Sequence, residues 1–294
     1  MFILNRRQFL ELTAGTAAAA GLAAAASPAH AASGAEVFTG DPFGALVDSV
    51  VVVGEQKMLL IDAQFTVPNA ARLADMLAAT GKELETIFIS HFHPDHHLGL
   101  AVLMDRFPNA RPVAHASVQP ALAAAAQAML DSMDGIIPAD QLPDRVVIPD
   151  ALPGDQLTLE GERFDILGPQ HGDTDVITPV HLPQLDTLVA SDVVFQNTHI
   201  WMAENITAER VDAWRDSLNA LEAVGAGTIV PGHRTEGSRN DASALAFTRT
   251  YLDQWEAALA DTSTREDLKA AMIERVGDLP GELFLDRAVG AVYG

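Results

Sequence analysis

Ser90-His91-Phe92-His93-Pro94-Asp95-His96-His97 is the stretch on which the reading of this chain turns. It follows the β-branched, apolar run 84–90, which has the composition of a buried strand. A strand carried on at period two would put His91 and His93 on one side, close enough for two imidazoles to hold one divalent cation. Asp95 and His96 then fall at the turn, where they can serve a second cation. Four metal-capable side chains within six residues point to metal rather than to isolated structural histidines.

Working outward, the chain alternates strand-like and helical patterns. Residues 47–53 and 58–63 pair as a hairpin across Gly54-Glu55-Gln56-Lys57. Residues 67–79 have helical periodicity and stop at Gly81; 98–107 reads as a helix, 111–116 as a short strand and 117–133 as an Ala- and Leu-rich helix. The Pro-, Asp- and Gly-containing stretch 134–156 reads as a loop. Short strands are expected at 156–159, 163–167, 175–180 and 187–190. Val211, Trp214, Leu218, Leu221 and Val224 recur at helical spacing and mark a core-facing stripe over 208–224. A last buried strand at 228–230 runs into Pro231-Gly232-His233, and the remainder looks helical. The pattern is α/β or α+β without repeats, and no linker demands a boundary inside 32–294.

Composition limits the chemistry. The 294 residues carry 18 Lys plus Arg against 40 Asp plus Glu, a formal net charge of -22, which repels a phosphate backbone and argues against a nucleic-acid partner. There is no cysteine, so no disulfide framework, thiolate nucleophile or Cys-ligated zinc is available. At the N-terminus Asn5-Arg6-Arg7-Gln8-Phe9-Leu10 precedes an Ala-rich run ending Pro28-Ala29-His30-Ala31. A basic start, a mildly apolar centre and small residues before Ala32 describe a cleavable signal over 1–31. The paired arginines resemble a twin-arginine export address, which implies the export machinery as a partner and a periplasmic or secreted mature chain.

His-x-His-x-Asp-His after a buried strand resembles the signature of the metallo-β-lactamase superfamily. The family's other elements follow in order: Leu59-Leu60-Ile61-Asp62-Ala63, then His171 in Gly168-Pro169-Gln170-His171-Gly172-Asp173-Thr174, Asp192 in Leu188-Val189-Ala190-Ser191-Asp192, and His233. The resemblance implies a single α+β domain over 32–294, a four-layer αββα sandwich. It implies one cation on His91, His93 and His171, another on Asp95, His96 and His233, and Asp192 between them. Nitrogen and oxygen ligands suit Zn2+, two ions, with iron or manganese as alternatives. Such ions acidify water, so the implied function is hydrolysis of an ester, lactone, thioester or amide of a small molecule, with Asp95 as the catalytic carboxylate. An aspartate bridge resembles the glyoxalase II and lactonase branches. A β-lactamase and a mono-iron persulfide dioxygenase are the alternatives on the same scaffold.

The chain also departs from the pattern. His97 and Leu98 precede Gly99 where many members have a glycine pair, and Ser191 stands where many have glycine. His97 reads as an outer or exposed residue. His115, His181 and His199 read as non-ligands, with His199 expected to face a pocket. Asp62 reads as a partner of a ligand imidazole. Phe65, Phe92, Trp201 and Met202 are candidates for a pocket wall.

Overall fold

A computed structural model describes residues 34–294; the export signal expected over 1–31 lies outside the described residues. Two sheets stack face to face, with helices on both outer faces. The first sheet is ordered β1 (Gly34–Thr39), β2 (Asp48–Val53), β3 (Lys57–Ile61), β4 (Glu83–Ile89), β5 (Arg111–His115) and β6 (Asp150–Leu152). β1, β2 and β3 are antiparallel, and β3 through β6 are parallel. The second sheet holds β7 (Gln156–Leu159), β8 (Glu162–Ile166), β9 (Val180–Leu182), β10 (Thr187–Gln196) and β11 (Thr228–Arg234), ordered β11-β10-β9-β8-β7. β10 and β11 are parallel and the other pairs of this sheet antiparallel.

The period of two explains why both faces of the first sheet are apolar. Val50, Val52, Leu59, Ile61 and Phe88 face the second sheet, where they meet Leu157, Phe164, Val180 and Val230. Their neighbours Val51, Met58, Leu60, Ile87 and Ile89 face the opposite way, onto helices. Those helices are α1 (Val67–Ala79), the single turn α2 (Pro94–His97), α3 (Leu100–Arg106) and α4 (Gln119–Ser132). α1 presents Ala70, Leu73, Ala74 and Leu77, one stripe at helical spacing. The outer face of the second sheet is covered by α5 (Ala208–Glu222), α6 (Ser243–Asp261), α7 (Arg265–Val276) and α8 (Glu282–Tyr293). The architecture is thus the expected α+β, four-layer αββα sandwich.

Several local expectations change. β4 ends at Ile89, so His91 and His93 stand in a loop rather than on a strand. Residues 150–152, read as loop, form β6 at the edge of the first sheet. The expected strand at 175–180 shrinks to an isolated bridge between Gln170 and Ile177, with β9 beginning only at Val180. The last two strands run further than apolarity alone suggests, β10 to Gln196 and β11 to Arg234, so both carry polar side chains into the interior.

Candidate metal centre

The site lies where strands of both sheets run out. β3 delivers Asp62, the loop after β4 delivers His91 and His93, and α2 delivers Asp95 and His96. From the other sheet come Asp192 and His233. The β10–β11 register shifts on either side of Ser191, and Asp192 sits within that irregular stretch. Asp62 and Ser191 are both left-handed, with φ of 61° and 47°, uncommon for residues with a side chain. Ser191 therefore adopts the backbone that a glycine would take most easily. Gly232 is required sterically, because a Cβ there would lie 1.8 Å from Asp192 Oδ1.

Hydrogen bonds fix the protons of three imidazoles. Ser90 Oγ donates to Asp62 Oδ2 at 2.7 Å, so toward His91 Nδ1, 3.0 Å away, it can only accept. That places the His91 proton on Nδ1 and leaves Nε2 with a free lone pair; this buried atom has no hydrogen-bond partner. His96 Nδ1 donates to Asp62 Oδ2 at 2.9 Å, and His233 Nδ1 donates to Ala45 O at 2.7 Å. Their Nε2 atoms then face each other at 3.4 Å. Two facing lone pairs repel unless a proton or a cation lies between them. Asp192 stands across both, Oδ1 3.1 Å from His96 Nε2 and Oδ2 3.0 Å from His233 Nε2, with His91 Nε2 3.7 Å away.

Electrostatics points the same way. Burial alone would lower the His96 and His233 pKa values, but Asp192 and Asp95 raise both, with Asp62 adding to the rise at His96. Burial together with neighbouring histidines pushes His91 well down, so it stays neutral. Burial opposes the charge of Asp192, yet His233, His96 and His91 hold its carboxyl well below the usual range. The cradle thus concentrates negative charge and aims imidazole lone pairs inward, the arrangement a divalent cation requires.

Two adjoining groups of donors result. Asp95, His96 and His233 form one, as the resemblance implied. His91, His93, Asp173 and Asp192 form the other, each group with donor atoms within 4.8 Å of one another. His171, expected beside His91 and His93, is not in it. Its Nε2 lies 2.7 Å from Asn205 Oδ1 and its Nδ1 3.2 Å from Asp175 Oδ1. The cause is the pinning of the 171–173 loop. Asn205 Nδ2 donates to both Gly172 O and Asp173 O, and Asp173 N donates to Asp192 O, which turns Asp173 inward.

Asp173, Glu204 and Asn205 escaped the reading of the sequence. Asp173 lies two residues beyond His171, the one local signal that could have flagged it. His93 is gripped by two of the three, with Nδ1 2.9 Å from Asp173 Oδ2 and Nε2 2.9 Å from Glu204 Oε1. Burial penalises the His93 charge, but Asp173 and Glu204 raise its pKa well above the ordinary value. Burial raises the Asp173 carboxyl to about 8, although the neighbouring His93 pulls it down.

Other expectations separate cleanly. His97 is buried with both ring nitrogens unpartnered, and burial pushes it down to about 4. His199 turns inward to Tyr251 Oη at 3.1 Å and does not line the cavity. Beside the donors is a cavity of about 350 Å³, with Asp95, His93, Asp173 and His233 among its lining and Phe65 and Trp201 in its walls. Met202 is fully buried, and Phe92 packs against the helix-side core of the first sheet.

Residues 43–233 match the family model described as "Metallo-beta-lactamase superfamily". No curated protein matches the chain. Among solved structures, the metallo-β-lactamase from Pontibacter korlensis is 19% identical, covering 70% of this chain and 87% of that one at a TM-score of 0.52. The metallo-β-lactamase FIM-1 from Pseudomonas aeruginosa, in a mono-zinc form, is 14% identical, covering 74% and 89% at 0.51. The inverting sec-alkylsulfatase Pisa1 from Pseudomonas sp. is 17% identical, with 88% of this chain on 49% of that one at 0.58. At these identities the structures speak for the fold alone. With the family match spanning most of the chain, from Phe43 to the last donor histidine, His233, this protein belongs to the metallo-β-lactamase superfamily.

Proposed function

We propose that this chain is a metal-dependent hydrolase that cleaves an ester, lactone, thioester or amide bond of a small molecule. The observation that carries the reading is the pair of adjoining buried donor groups, in which His91 Nε2 and Asp173 Oδ1 lack hydrogen-bond partners. Orphaned buried polar atoms are costly, and here they converge. His91, His93, Asp173 and Asp192 would hold one cation and Asp95, His96 and His233 a second, zinc being best matched to the donors. Divalent cations there supply Lewis acidity, which acidifies water and polarises a carbonyl.

The protein's own residues do the rest. Asp62, Ser90 and Ala45 O orient three imidazoles through Nδ1, so no rearrangement is needed at the moment of reaction. Asp95 lines the cavity and has its Oδ2 3.4 Å from His233 Nε2. It is placed to take a proton from an attacking water and return it to the leaving group. Phe65 and Trp201 limit the water that reaches this floor.

One observation favours a second reading. Two imidazoles and a carboxylate, His91, His93 and Asp173, are also a donor set for a single iron, as in an oxygenase of persulfides. Elemental analysis with a substrate screen separates the two. Zinc with turnover of lactone, thioester or β-lactam substrates supports the hydrolase; iron with oxygen consumption supports the alternative. We also hold residues 1–31 to be a twin-arginine export address, which N-terminal sequencing of the exported protein tests.

A further inference from the structure

Three segments far apart in the chain meet at the mouth of the cavity, and each brings an exposed apolar side chain. Phe43 is 49% exposed, Ile136 51% and Leu283 53%, three of the five large apolar residues so exposed among the described residues. Apolar groups are normally scattered singly over a surface, so three around one opening mark a surface meant to be covered. The third segment lies beyond the family-matched residues 43–233, in α8.

α8 is held rigidly over the site. Pro280 O accepts from His199 N at 2.8 Å and from Thr198 Oγ1 at 2.9 Å. Gly281 then takes φ of +87°, at a point where a Cβ would meet Thr198 Oγ1 at 2.7 Å. Lys269 Nζ clamps the helix through Glu282 and Asp286, each at 2.6 Å. The ring of Phe284 stands edge-on to His233, centroids 5.3 Å apart, and to Trp201 at 5.7 Å.

Leu283, Phe284 and Arg287 share one face of α8 by the i,i+3 and i,i+4 rule, and all three line the cavity. Arg287 is the one permanent cation among the lining residues. Elsewhere Arg145, Arg215, Arg249 and Arg275 each rest on a carboxylate. Arg287 has no carboxylate partner among the described residues, and the nearest acids on its own helix, Glu282 and Asp286, are taken by Lys269. On a chain of net charge -22, an exposed guanidinium with no carboxylate partner among the described residues favours anions at this apolar opening against the field of the whole molecule.

We infer that this cavity takes an anionic amphiphile: the scissile bond at the donor floor, an apolar body along Phe65, Trp201 and Phe284, and a carboxylate or sulfate ending at Arg287. For the scissile bond the proposal rests on the hydrolytic reading above; for the anion it stands on α8 alone.

The test is binding of decanoate, decyl sulfate and decanol to the purified full-length protein, read as the change in tryptophan fluorescence that Trp201 in the cavity wall reports over the constant emission of buried Trp214 and Trp255, with wild type, Arg287→Met and Arg287→Lys. Wild type should bind the two anions about five-fold or more tightly than decanol. Arg287→Met should abolish that preference at unchanged metal content and Tm, and Arg287→Lys should keep part of it. Preference for decyl sulfate over decanoate would assign a sulfate, and the reverse a carboxylate. Equal binding of decanol, or an anion preference that survives Arg287→Met because the head group sits on the metal centre, overturns the proposal. A protein that shows the Arg287-dependent preference but hydrolyses nothing removes the hydrolase reading and leaves the anion site. One that hydrolyses neutral and anionic esters alike in wild type and Arg287→Met does the reverse.

Discussion

The donor cradle and the cavity mouth are built on opposite plans. In the cradle four of the seven donors come from one stretch of six residues, His91 to His96, and the protons of His91 and His96 are fixed by Ser90 and Asp62. At the mouth Phe43, Ile136 and Leu283 come from segments nearly a hundred residues or more apart and share no motif. The difference teaches that the donor cradle grows from one local motif that distant residues, Asp173, Asp192 and His233, complete, whereas the mouth has no local motif and exists only through packing. Substitutions in the two regions should therefore fail differently: cradle variants lose metal, and mouth variants keep metal but bind less.

The largest effect is expected from His91→Ala, which removes a neutral imidazole already aimed at the site. Its metal content should drop and hydrolysis should fall well beyond the roughly 100-fold cost of losing an outer partner. Gly232→Ala comes next. Its Cβ would displace the Asp192 carboxylate, so a loss of about 100-fold in metal affinity is expected by chelator competition, with the far-UV circular dichroism of a folded protein. Asp62→Asn weakens the acceptor that orients His96 and Ser90 together and should cost 10- to 100-fold on the same assay.

Acidification should act in the same direction as these variants. The metal-free cradle binds protons on His96 and His233, whose pKa values are raised, and a cation must expel them. Affinity for metal therefore climbs with pH and falls as pH drops, by about tenfold per unit for each proton released. The smallest effect belongs to the mouth. Phe284→Ala should leave metal content unchanged and raise KM for chain-bearing substrates roughly tenfold with little change in kcat, as expected when a buried aromatic contact is lost. Loss of metal from Phe284→Ala would erase the distinction between the two regions.

The same contrast explains what the sequence disclosed. Strand periodicity marked β2, β3 and β4 because alternate residues face two different apolar layers. The helix 67–79 was legible to the residue from its apolar stripe. Edge strands were not: β6 has three residues, mostly exposed, and borrows its regularity from β5. Within the site, the loop 90–97 could be read from its spacing, and His233 from the family resemblance. The place of Asp173 beside His91 and His93, with the His171 ring turned away, could not, since it depends on Asn205, 32 residues beyond Asp173, which bonds the backbone of the loop and the ring of His171 together. Glu204 is likewise visible only once that segment folds back onto His93.

Metal analysis of the purified protein, beside His91→Ala and His171→Ala, addresses the central claim most directly. Two equivalents of divalent metal per chain are expected in the wild type, about one in His91→Ala, and an undiminished count in His171→Ala, whose ring faces Asn205 and Asp175. Equal metal in wild type and His91→Ala, or loss of metal from His171→Ala, would contradict the account.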